Sequence, residues 1–253
     1  MKKDLPRASL TSSRLIRLLT ELTGREGPES RQTFAERLGQ WMQLNDAIAL
    51  SGIVNAKVGG TPTPAAEAME ALAASRAAFA RVRTALAETM DTAGVCKPGR
   101  GRVKLQALPT GKVLPEESPF AFLHRYYLAQ QRSMEAAIAP LRAQTREAVT
   151  RHAPALRQVA ALDGVLEKSL GERERQSLAT IPLLLEKRFQ QLCQTREAPD
   201  DSADGPPPAQ PEPWLQAFCQ EMQSVLLAEL EIRLEPVAGL IEAFGNEVSQ
   251  RHE

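Results

Sequence analysis

Apolar residues recur along most of this chain at three- and four-residue steps, the spacing that places side chains on one face of an α-helix. Over residues 9–23, Leu10, Ile16, Leu19 and Leu22 form such a stripe, Arg14, Arg17 and Glu21 decorate the rest, and Gly24 supplies a stop. Ser30 is a natural N-cap for a second pattern through Phe34, Leu38, Trp41 and Ile48, with a break expected at Asn45-Asp46. It reads as two helices or one kinked one. Residues 62–92 open with Thr61-Pro62 and Thr63-Pro64, pairs suited to an N-cap followed by proline in the first turn. They continue through Met69, Leu72, Phe79, Leu86 and Met90 in Ala-rich sequence.

Pro119 starts a longer pattern: Phe120, Leu123, Tyr127, Met134, Ile138, Leu141 and Val149 stand close to heptad spacing. One narrow face should therefore pack against antiparallel neighbours, with a kink expected at Pro140. After Pro154 come Leu156, Val159, Leu162, Val165, Leu166 and Leu170. After Gly171 a charged turn is expected to lead into Leu178, Ile181, Leu185, Phe189 and Leu192, a helix bent near Pro182.

Residues 196–213 combine acidity with six prolines and carry too little apolar surface to offset the entropy of ordering, so they read as a linker. The stripe then returns over residues 214–248, enough for a helix of roughly 50 Å at about 1.5 Å per residue, with Pro236 as the point where it would split.

Composition narrows the fold class. Ala (37) and Leu (32) far outnumber Val and Ile together (19), the reverse of what sheets favour. The expectation is all-α: an antiparallel bundle of about six to eight helices with long flexible connectors. Its parts would be a basic body over 1–195, a linker over 196–213 and a long C-terminal helix over 214–253. The chain is neutral overall, yet 1–195 holds 28 Lys/Arg against 19 Asp/Glu while 196–253 holds 3 against 12. An acidic end of this kind either folds onto the basic body or meets a basic partner.

Cys96, Cys193 and Cys219 are an odd, widely spaced set without a CxxC pair, so reduced thiols are expected. No apolar stretch follows the opening MKKDLPRASL, and no run of 18 apolar residues occurs, which makes a cytoplasmic location without membrane insertion the expectation.

Candidate chemistry is sparse. There are three histidines and no HExxH, GxSxG or GxGxxG, and Gly111-Lys112 lacks the rest of a phosphate-binding loop. His124 and His152 have no ligand-type residue three or four positions away, so no metal and no cofactor is expected. Cys193 and Cys219 read as small apolar fillers, Glu172 to Arg175 as a solvated first turn, and Glu116-Glu117 as acids before a helix start. An enzyme would need a pocket gathering side chains such as His124, Arg125, Tyr126 and Glu135.

The loop over 95–115 differs, because Lys97, Arg100, Arg102, Lys104 and Lys112 come without one acid and without an aromatic for base stacking. It reads as a solvated connector, as a contact for an acidic protein surface, or as a phosphate contact without base specificity. The second candidate surface is the C-terminal stripe of Trp214, Phe218, Met222, Leu230, Leu234, Ile241 and Phe244, which either docks into a partner's groove or packs inside its own molecule.

The segments SSRLIRLLTEL (12–22), FAERLGQWMQLNDAIALSG (34–52) and ERERQSLATIPLLLEKRF (172–189) resemble a proteobacterial all-helical family, one of the domains of unknown function. The resemblance covers most of the chain and brings no catalytic motif. It implies the company of MotA/TolQ-like stator proteins and OmpA-like peptidoglycan-binding proteins. Residues and resemblance together point to a non-enzymatic helical accessory or scaffold protein binding another protein on the cytoplasmic side of a stator-like envelope complex. A second copy of the chain is an admissible partner too. The alternative is a nucleic-acid-associated factor using the basic loop 97–112.

Overall fold

The computed structural model describes residues 13–24, 34–42, 44–56, 63–91, 120–196 and 213–251. Among them there is no strand: α1 (Arg14–Thr23), α2 (Phe34–Trp41), α3 (Leu44–Asn55), α4 (Ala65–Thr89) and α5 (Ala121–His152) are followed by a 3-10 turn (Pro154–Leu156), then α6 (Arg157–Leu178), α7 (Ile181–Arg196) and α8 (Pro213–Gln250). The fold is the expected all-α helical bundle.

Local chemistry explains most of the boundaries. Gly24 ends α1 with φ 60°, the left-handed conformation that glycine adopts without strain. The second pattern resolves into two helices, but α2 stops at Trp41 and α3 starts at Leu44, so the break precedes Asn45-Asp46 and Asp46 lies in the first turn of α3. A carboxylate there meets the positive end of the helix.

Two breaks that the sequence suggested, at Gly171 and Pro236, are absent. α8 runs unbroken past Pro236, and α5 continues as helix through Pro140. Pro140 faces solvent, where water satisfies the carbonyl that loses its N–H donor. Pro182 is the second residue of α7, in the first turn, where no N–H is missed. The turn expected after Gly171 does not form either: α6 continues to Leu178 and the chain turns at Ala179 and Thr180. One glycine costs a helix about 1 kcal/mol, which the packing of the flanking turns outweighs.

The chain divides into two compact units. One comprises Met1–Pro28, Met90–Tyr127 and Pro182–Ile232. Its centre is aromatic: the rings of Phe189 and Phe218 are 5.2 Å apart, those of Phe120 and Phe189 5.6 Å, and Trp214 stands edge-on to Phe189 at 5.4 Å. Beside it Tyr127 donates a 2.7 Å hydrogen bond to Oε2 of Glu229, which satisfies a carboxylate that has no solvent exposure. Arg188 ties α7 to α8 through Glu221 at 3.0 Å, a contact that raises the guanidinium pKa.

The other unit comprises Glu29–Thr89, Leu128–Ile181 and Arg233–Glu253. Antiparallel α4 and α5 are joined at both ends, by Thr89 Oγ1 to Gln130 Oε1 at 3.1 Å and by Thr63 Oγ1 to the His152 carbonyl at 3.2 Å. Arg251, just after α8, also donates to that carbonyl, at 3.1 Å. Close approach of α8 to α4 is made at Gly245, where an added Cβ would stand 2.8 Å from Nη2 of Arg76. α6 lies along α5 and carries α2 and α3 on its flank, with the Arg173 guanidinium 4.9 Å from the centre of the Trp41 ring.

Candidate functional site

The five basic loop residues, Lys97, Arg100, Arg102, Lys104 and Lys112, lie outside the described residues, as does most of the 196–213 linker. Phe218, Met222, Leu230, Leu234, Ile241 and Phe244 are buried within the chain, and Trp214 is half-buried against Phe189. Of the two uses open to the C-terminal stripe, packing inside its own molecule is the one found. Burying it in cis avoids the translational and rotational entropy that a separate partner would lose.

Arg125 and Glu135 are exposed, and Glu135 stands 3.8 Å from Arg175. Glu172 and Arg175 form an exposed local pair as expected, though late in α6 rather than in a first turn. Hydrogen bonds from Arg175 and Gln176 lower the pKa of Glu172. Among the described residues no three His, Cys, Asp or Glu side chains form a metal-holding group. Cys193 is a half-buried thiol. Cys219 is disulfide-bonded, which corrects the expectation of reduced thiols throughout, since spacing along the chain says nothing of cysteines that folding brings together.

Two features of the second unit form a candidate site. The first is α3. Its half-buried positions, Asp46, Leu50 and Ile53, follow one side of the helix, and its exposed positions are Ala47, Ile48, Ala49, Ser51, Gly52, Val54 and Asn55. Asp46 is the only charged residue of the helix, so the outward face carries no charge at all. Ile48 is 62% exposed and Val54 70%. A surface helix ordinarily turns charge to water, and a helix apolar all round is ordinarily buried. α3 carries no charge beyond Asp46, with Ser51 and Asn55 the polar residues of its exposed side, and is covered on one side only. Sequence reading placed Ile48 in the core stripe; the missed signal was the lack of any charge beyond Asp46.

The second feature is the corner where α5 turns into α6. Ala153 precedes Pro154 and stands outside the α region (φ −127°, ψ 76°), which a following proline disfavours. The 3-10 turn then reverses the chain, laying the last turns of α5 along the first of α6. Arg142 grips Asp163 with two N–H groups, at 2.9 Å and 2.6 Å, and Arg146 adds a bond to Asp163 at 2.9 Å and one to Glu167. Burial alone would lower the pKa of Arg146, but these bonds and charges outweigh it and raise the value.

Outside this fixed cluster opens a cleft of about 520 Å³ lined by Arg146, Glu147, Thr150, Arg151 and Arg157, with a floor of Ala160, Ala161 and Gly164. Arg151 pairs with Glu147 at 2.6 Å, both well exposed, and Arg157 Nε donates to the Thr150 carbonyl at 3.1 Å. Gln158 links the corner to α3, donating 2.7 Å to the Ala56 carbonyl and 3.5 Å to that of Val54. The C-terminal end of α3 and the start of α6 thus meet through Gln158.

The chain belongs to the family described as protein of unknown function (DUF3348), whose model matches residues 1–246. No curated protein and no solved structure matches it. Among the described residues no helix is long and apolar enough to cross a membrane.

Proposed function

We propose that this chain is a non-enzymatic, all-helical accessory protein that docks onto another protein through the outer face of α3. The observation that carries the reading is the uncharged exterior of that helix, on which Ile48 and Val54 are the two most exposed of the chain's large apolar side chains named among the described residues. Fully burying a side chain of this size is worth about 1.5–3 kcal/mol, so covering both supplies a driving force that free α3 leaves unused. The C-terminal stripe supports the reading from the other side, because its large apolar groups are already consumed within the chain. The stator-like envelope assembly implied by the sequence resemblance, met on its cytoplasmic side, is the complex in which we place the partner.

A photo-crosslinking residue at position 48, introduced in the native host, tests this. A discrete adduct is expected at 48, none at the exposed α4 position Glu70, and loss of the adduct on Val54→Asp. Equal labelling from positions 48 and 70 would overturn the reading. Salt-sensitive binding of nucleic acid, lost when Lys97, Arg100, Arg102 and Lys104 are neutralised, would replace it with the basic-loop alternative.

A further inference from the structure

We infer that α1 is a releasable strap: it leaves α8 as one piece while the rest of its compact unit stays folded, and the seat it vacates accepts another amphipathic helix in its place.

α1 has the sequence of a docking helix and few of the means to stay docked. Leu15, Ile16, Leu18, Leu19 and Leu22 fall on one side of its ten residues, with Arg14, Arg17 and Glu21 on the other. Of the five apolar side chains only Leu15 is buried; Leu18, Leu19 and Leu22 are half-buried and Ile16 is 40% exposed. α7, which contributes to the same unit, buries Leu185 and Phe189.

The ends of α1 are no better secured. Ser13 stands at the N-cap in extended backbone, yet its side chain makes no cap bond, and its buried Oγ has no hydrogen-bond partner among the described residues. A missing cap and a buried unpaired hydroxyl both work against the docked state. No acid in the first turn and no base in the last offsets the helix dipole. The ion pair that ties α1 to α8, Arg14 to Glu231 at 3.2 Å, leaves its two side chains 49% and 44% exposed, where solvent weakens it. α7 is held to α8 by two bonds from Arg188 to Glu221, at 3.1 Å and 3.0 Å, in a more sheltered place.

Length makes the release concerted. Ten residues are too few to hold a helix alone in water, so α1 is helical because it is docked and loses its helix when it leaves. Elements with few buried apolar groups open first, ahead of the whole chain. α8 stays in place through Tyr127 on Glu229, Arg188 on Glu221 and the packed rings of Phe189 and Phe218. The vacated seat was fitted to leucines at helical spacing with a guanidinium opposite Glu231. A partner helix with a leucine stripe and a basic residue at its edge matches it.

Hydrogen exchange of the full-length chain tests the strap without any variant. Relative to their unstructured rates, the amides of 18–23 should exchange at least about 100-fold faster than those of 225–230. Equal protection of the two segments would overturn the inference. Leu15→Asp should bring α1 to its unstructured exchange rate and leave α8 unchanged; α8 opening along with it would show that α1 is integral to the unit, and would overturn the strap as well. A fluorescent peptide of residues 13–24 reads the seat. It should bind the Leu15→Asp chain at least about tenfold more tightly than the native chain, in which α1 occupies the seat most of the time. Arg14→Glu in the peptide should weaken that binding. Equal affinity for the two chains, or binding to neither, would overturn the exchangeable seat.

Discussion

α8 and α3 both carry many large apolar side chains, yet the chain treats them in opposite ways. Over residues 233–250, α8 buries Leu234, Val237, Leu240, Ile241, Phe244 and Val248 and turns Glu235 and Glu242 to solvent. α3 has no charge to turn outward and leaves Ile48 and Val54 in water. The first is a helix completed by its own molecule. The second has the composition of a buried helix and the exposure of a surface one, and that mismatch distinguishes an element built for an outside contact from one built for the core.

The most direct way to break the comparison is truncation on each side of it. Phe244→Ala empties a fully buried site and should cost about 3–5 kcal/mol, enough to unfold much of a marginally stable chain, read by denaturant titration. Ile48→Ala and Val54→Ala should each change stability by no more than about 0.5 kcal/mol. A loss above about 1.5 kcal/mol at either α3 position would mean that the face already packs within the chain, and the contrast would vanish.

The arginine corner sharpens the comparison one step down in size. Asp163 accepts from both Arg142 and Arg146, with the side chains of Asp163 and Arg142 each 13% exposed. Asp163→Ala leaves two guanidinium groups short of a partner and should cost about 1–3 kcal/mol. Glu147→Ala, which removes an exposed pair, should cost about 0.5 kcal/mol or less. Equal losses would make the two arginine groups one structural cluster.

Sequence periodicity found these helices because burial on one side is what it reports. Tyr127, Met134, Ile138 and Val149 fall on the expected face of α5, and all are buried. Periodicity failed where packing overrides a local signal. Gly171 and Pro236 each look like a break in isolation, yet neighbouring turns hold α6 and α8 continuous. The candidate site was illegible for a related reason. An apolar residue reads alike whether its own molecule covers it or not, so Ile48 was indistinguishable from a core position. Nothing in the spacing of Arg151, Arg157 and Gln158 announces that a proline turn will gather them at one corner, with Gln158 against the end of α3.

Gly171 offers a smaller measurement on the covered side. It sits inside α6 with open space where a Cβ would stand. Gly171→Ala should therefore raise stability by about 0.5–1 kcal/mol, seen as a higher midpoint in thermal unfolding. Destabilisation would show that the glycine is needed for a close approach not evident in the helix.

Tyr126 gives the subtlest test of how far the interior of the first unit extends. Burial, and secondarily the Asp91 carboxylate, push its phenol up to about 12, against about 10 in an unfolded chain. The folded state thus holds the phenolic proton more tightly. The stabilisation is fully present below about pH 10 and is lost as pH rises through about 12, because the anion must form in a half-buried site. Stability of the native chain should fall across that window, and Tyr126→Phe should flatten the decline while leaving stability at neutral pH little changed. An identical alkaline decline in the variant would show that Tyr126 titrates as a surface phenol, and the protected interior around the start of α5 would then stop short of it.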